Sequence, residues 1–114
     1  MSDRPNPLKL NPLQLKTLAI LQELARAGDG ASETLPDGNV ALNRLPRPHG
    51  DHFHVGSAVV RAKDATGLGN PAVFGAFQRK GLMAMGADGR PVLTPAAMAY
   101  ETGVAEQILH RPDH

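Results

Sequence analysis

Residues 70–96, NPAVFGAFQRKGLMAMGADGRPVLTPA, decide how this chain is read. Asn70 caps a helix and Pro71 suits its first turn, where no backbone donor is required. Val73, Phe74 and Phe77 follow at core-facing helical spacing and Gly81 closes the segment, so a helix is expected over 70–80. Behind it, apolar runs at 82–85 and 91–94 flank Gly86-Ala87-Asp88-Gly89-Arg90. The Asp-Gly pair supplies the backbone angles of a tight turn, so these runs are expected to pair as a two-stranded wing. Thr94-Pro95 then repeats the cap-plus-proline start, opening a last helix over 95–109, with Gly103 an internal weak point and Pro112 its end.

Working outward, Ser57 reads as a cap for a short helix over 57–65 whose apolar side is Val59, Val60 and Ala62. The turn Gly67-Leu68-Gly69 joins it to the helix at 70–80, which makes a helix-turn-helix candidate. Asn11-Pro12 starts an earlier helix, 12–27, with Leu15, Leu18, Ala19, Ile20, Leu21 and Leu24 on its apolar side and Gly28 at its end. Between Gly28 and His54 the density of breakers (Gly30, Pro36, Asp37-Gly38, Pro46, Pro48, Gly50) excludes a long helix. Two short strands are expected there, 39–45 and 52–55, paired as a hairpin. The fold class is therefore α+β, a winged helix-turn-helix over 11–110, with a flexible tail at 1–10 and a short one at 111–114.

A chain of 114 residues supports one core. Aromatics are only 4% and tryptophan is absent, so Leu, Val, Ala, Met and three Phe must fill that core. With no cysteine, disulfides, thiolate metal sites and a cysteine nucleophile are excluded. No secretory signal or membrane-spanning run is read, so the expected location is cytoplasmic, without a membrane partner. Net charge is +1, but residues 41–90 carry +4, from Arg44, Arg47, Arg61, Lys63, Arg79, Lys80 and Arg90 against Asp51, Asp64 and Asp88. That middle segment is where an anion would find a favourable face.

The steps Arg79-Lys80-Gly81-Leu82, Asp88-Gly89-Arg90 and Leu93-Thr94-Pro95-Ala96 resemble the end of the recognition helix and the wing in MarR-type (multiple-antibiotic-resistance regulator) transcription factors. There a similar basic-Gly-Leu step leads into the wing, an Asp-x-Arg sits at its turn and a Leu-Thr step opens the next helix. The resemblance covers about residues 57–100 and implies DNA binding and transcription regulation by a non-enzyme without a cofactor. Such a protein would place the helix over 70–80 in a major groove and the wing on the backbone. The scaffold also serves as a protein-interaction module, so double-stranded DNA, a protein partner and a second copy of the chain are all expected partner classes.

For DNA, the base-reading candidates are Asn70, Gln78 and Arg79, the side chains on this helix able to make paired contacts to base edges. Arg61, Lys63, Lys80 and Arg90 are the phosphate-contact candidates. His49, His52 and His54 are the weak metal-ligand candidates, because residues two apart on a strand share a face, and tight transition-metal binding is not expected of them. No phosphate loop surrounds Gly67-Leu68-Gly69, and a helix cap accounts for Ser57 without a nucleophile-and-base pair with His52 or His54, so no enzyme is expected.

Overall fold

The computed structural model describes residues 6–28 and 30–111. The first helix, α1 (Pro12–Arg26), opens on a reciprocal cap. The Gln14 N–H donates to Asn11 Oδ1 at 2.8 Å, and the Asn11 N–H donates to Gln14 Oε1 at 3.0 Å. Leu18, Ala19, Ile20, Leu21 and Leu24 are all buried, because α1 is the central beam on which the other elements pack. Its two buried polar side chains are satisfied. Thr17 Oγ1 donates to Leu13 O, and Gln22 Nε2 donates to Ala97 O and Tyr100 O, each at 2.8 Å.

Two antiparallel sheets flank this helix. The larger contains β1 (Ser32–Thr34), β2 (Val40–Leu42), β6 (Met83–Met85) and β7 (Pro91–Leu93), in the order β1-β2-β7-β6. The smaller contains β3 (Pro48–His49), β4 (His52–Val55) and β5 (Ala58–Arg61), in that order. Helix α2 (Pro71–Arg79) precedes β6, and α3 (Pro95–Ala99) and α4 (Ala105–Ile108) follow β7. The architecture is α+β, as expected.

The 70–96 stretch folds largely as its residues dictate. Asn70 Oδ1 accepts the Ala72 N–H at 2.9 Å and starts α2. Gly81, at φ +76°, ends it: the Gly81 N–H reaches Gln78 O and the Leu82 N–H reaches Phe77 O. This is a Schellman cap, and its apolar contact partners Phe77 and Leu82 are both fully buried. Met83–Met85 and Pro91–Leu93 then pair antiparallel, Met83 opposite Leu93, as the expected two-stranded hairpin. Thr94 Oγ1 donates to Gly81 O at 2.8 Å and accepts the Ala97 N–H at 3.3 Å, which ties the end of α2 to the start of α3.

Elsewhere the expectations need correction. The helix expected over 57–65 is instead β5 followed by 3-10 turns at Ala62–Asp64 and Thr66–Gly69. Ala58 and Val60 point inward while Arg61 is exposed, a period of two that β4 stabilises by pairing with all four residues. Ser57 caps nothing; its Oγ accepts from Arg111 Nη1 at 2.8 Å. The first half of the expected helix-turn-helix is thus a strand and two 3-10 turns. The 3-10 segment is held against α1 by the Lys16–Asp64 ion pair at 3.0 Å and by close approach at Gly67, where a Cβ would lie 1.9 Å from Thr17 Oγ1.

The helix over 95–109 is broken into α3 and α4. The break runs through Tyr100, whose ψ of 130° is extended, and Gly103, at φ +75°. The strands near 39–45 and 52–55 form, but not as one hairpin. Val40–Leu42 pairs with β1 and β7, while His52–Val55 pairs with β3 and β5. Of the expected tail at 1–10, the described part is packed: Leu10 is buried, the Leu8 N–H donates to Tyr100 Oη, and Tyr100 Oη donates to Asn6 Oδ1.

Candidate interaction surface on α2 and the hairpin behind it

Val73, Ala76 and Phe77 turn α2 inward. Pro71, Ala72, Gln78 and Arg79 consequently face solvent. Gln78 and Arg79 are the two base-reading candidates left available; Asn70 is occupied as the cap of α2. The Arg79 guanidinium lies back along the helix, with Nη1 3.4 Å from where a Cβ on Gly75 would be. The outward face of α2 is therefore mostly small and apolar, with one cation folded over it.

The phosphate-contact candidates do not form one surface. Arg90, at the tip of the β6–β7 hairpin, is engaged in intramolecular contacts at the surface: Nη1 donates to Glu33 Oε1 at 2.8 Å and Asn43 Oδ1 at 2.7 Å, and Nε donates to Asp88 Oδ2 at 2.7 Å. The hydrogen bonds to Glu33 and Asp88 raise the Arg90 pKa above its ordinary value. Reciprocally, the Arg90 backbone N–H and then its side chain hold the Asp88 carboxyl below the usual carboxylate range. Lys80 is engaged too, since Nζ donates to Leu8 O at 2.8 Å. Arg61 and Lys63 are exposed, but they share a cleft with Asp51, His52 and Val59 on the smaller sheet rather than with α2.

A feature that sequence reasoning missed lies between α2 and β6. Leu68, Pro71, Phe74, Gln78 and Met85 line an open groove of about 380 Å³. Phe74, expected in the core, is only half-buried there. Met85 is 47% exposed and is the one exposed large apolar side chain among the described residues. A signal for it exists in the sequence. Met83 and Met85 share a face by strand alternation, and Met85 lies beside the glycine-rich turn, at the end of the strand where core cover runs out.

The three weak metal-ligand candidates are brought together on the smaller sheet. His49 and His52 are register partners across the β3–β4 hairpin, and His54 follows two residues on. Their ring centroids lie 4.9 to 6.2 Å apart, and His52 Nε2 is 3.2 Å from His54 Nε2. Among the described residues no group of three or more His, Cys, Asp or Glu side chains is arranged to hold a metal ion. No described helix is long and apolar enough to cross a membrane. Compared with protein-family models, with curated proteins and with solved structures, the chain matches none.

Proposed function

We propose that this chain is a regulatory module of winged-helix type that docks a protein partner in the groove between α2 and β6. The winged-helix reading is supported by the order β2-β7-β6 and by α2 leading through a Schellman cap into the β6–β7 hairpin. One observation carries the choice of partner. The cations that a DNA-binding wing would spend on phosphate, Arg90 and Lys80, are used within the fold, while Met85 and Phe74 offer apolar surface to solvent. The fitting partner is a peptide segment with one or two apolar anchors beside acidic residues, because the groove lining carries no charged side chain and the exposed Arg79 follows the lining residue Gln78 on α2.

DNA binding is the second reading, favoured by the exposure of Gln78 and Arg79 on α2. One experiment separates the two. Peptide display on the immobilised chain is followed by fluorescence anisotropy of selected peptides and of a mixed-sequence duplex at low and moderate salt. The expected result is selection of apolar peptides with Asp or Glu nearby, with affinity falling at least about tenfold in Met85→Lys. Duplex binding that weakens with salt and is lost in Arg79→Ala, alongside an empty peptide selection, would overturn the proposal in favour of DNA.

A further inference from the structure

The outer face of the β3–β4–β5 sheet carries a concentration of imidazole that neither the core nor the groove uses. Directly paired residues and residues two apart on a strand share a face, so the register His49 opposite His52 puts His49, His52 and His54 on one side. On the other side Val55 enters the core and Phe53 packs against it. The hairpin is thus anchored from beneath, and its imidazoles stand on a rigid base.

We propose that His52 and His54 form a two-imidazole chelate for a divalent transition-metal ion. Two ligand nitrogens, each about 2.0–2.1 Å from a tetrahedral zinc-type ion, lie about 3.3 Å apart. The Nε2 atoms of His52 and His54 are 3.2 Å apart. The spacing of the two nitrogens is thus the one a shared ion requires, and each ring has only to turn its lone pair from the other nitrogen towards that ion. Asp51 Oδ1 faces His52 Nδ1 at 3.3 Å, and in the tautomer whose Nδ1–H donates to that carboxylate His52 Nε2 is left to accept from His54 Nε2–H. On binding, His54 moves that proton to Nδ1 and both Nε2 lone pairs face the metal, with Asp51 orienting His52 as a carboxylate partner behind the ligand.

His49 packs edge-on against His54, at 5.1 Å between ring centroids, and restricts its rotamers. Imidazole pairs suit nickel, copper and zinc and not calcium or magnesium, which take oxygen ligands. Water fills the remaining positions, and the Arg61 guanidinium belongs to the register partner of His52. With two protein ligands and a guanidinium on the same face, affinity is below that of closed four-ligand sites.

The test is calorimetric titration of the untagged full chain with nickel chloride and zinc chloride at neutral pH, with imidazole nitrogen NMR as a second readout. One ion per chain is expected, and the Nε2 resonances of His52 and His54 shift on binding. His52→Ala and His54→Ala each lower the affinity by at least about tenfold, whereas His110→Ala retains it. Because His54 is exposed and His52 lies at the surface, melting curves matching the unmodified chain separate lost ligation from lost fold; His54→Asn serves if the alanine variant melts early. Absence of saturable binding, or stoichiometric binding that survives the His52→Ala, His54→Ala double variant, overturns the proposal.

Discussion

At the tip of the β6–β7 hairpin Gly89 takes φ +87°, and the Asp88 and Arg90 side chains beside it close on each other and on Glu33. At the tip of the β3–β4 hairpin Gly50 takes φ +68°, and among the described residues the polar side chains around it close on one another: Asp51 on His52, His52 on His54. Both turns need a residue with positive φ and both carry a neighbouring carboxylate. The difference lies in what the polar groups reach. Arg90 spans to Asn43, just past the adjacent strand β2, and to Glu33 on β1, and fastens the hairpin down, whereas among the described residues the imidazoles hydrogen-bond within their own hairpin and stay available as ligands. Charge beside a turn is thus a poor guide to function until its partners are known.

The most damaging way to break this comparison is to remove the packing under one hairpin alone. Phe77 is fully buried where α2 meets β6, so Phe77→Ala should cost about 3–5 kcal/mol, read from denaturant unfolding. A loss below about 1 kcal/mol would mean that the β6–β7 hairpin does not depend on α2. Gly81→Ala comes next. Its φ of +76° disfavours any side chain although the added Cβ would meet no atom within 4 Å, so the cost should be purely conformational, about 1 kcal/mol. The denaturant midpoint should fall with the m-value unchanged.

Smaller still is the effect of cutting the polar ties themselves. Arg90→Ala should speed amide exchange around the 86–92 turn while leaving the global transition nearly in place, because the broken contacts are at the surface. His54→Ala should change stability by no more than about 0.5 kcal/mol and leave exchange of the β3–β4 turn unaltered. If the two variants behaved alike in exchange, the distinction between a fastened tip and a free one would fail.

The elements that open on a cap followed by proline, at Asn11, Asn70 and Thr94, were legible because the signal is local: a side-chain acceptor, a residue needing no donor, then helical spacing. The β6–β7 hairpin was legible from Asp88-Gly89. The segment 57–65 was not, since Ala58-Val59-Val60-Arg61 is too short for its period to be told apart, and what makes it a strand is β4 beside it. For the candidate site the limit was distance along the chain. Nothing near Arg90 announces Glu33, 57 residues away, or near Lys80 announces Leu8, 72 residues away, so both looked available for phosphate. The shared face of His52 and His54 was readable from strand alternation; the approach of their Nε2 atoms required the side-chain rotamers.

Acid offers the gentlest probe of the fastened tip. Asp88 is held below the usual carboxylate range first by the Arg90 backbone N–H and then by its guanidinium. A carboxyl whose pKa is depressed by folding contributes stability that is complete above its unfolded-state value and disappears as pH falls through the folded-state value. The turn should therefore keep its form through mildly acidic solution and loosen only below the ordinary carboxylate range. Following the Gly89 and Arg90 amide resonances during an acid titration tests this, with the native chain giving a late, low-pH transition. Asp88→Asn removes the titrating group, so that transition should vanish from both amides while the rest of the spectrum is unchanged. A transition at or above the ordinary carboxylate value would show that the Arg90 contacts do not persist in solution, and the two hairpin tips would then differ in sequence but not in physical state.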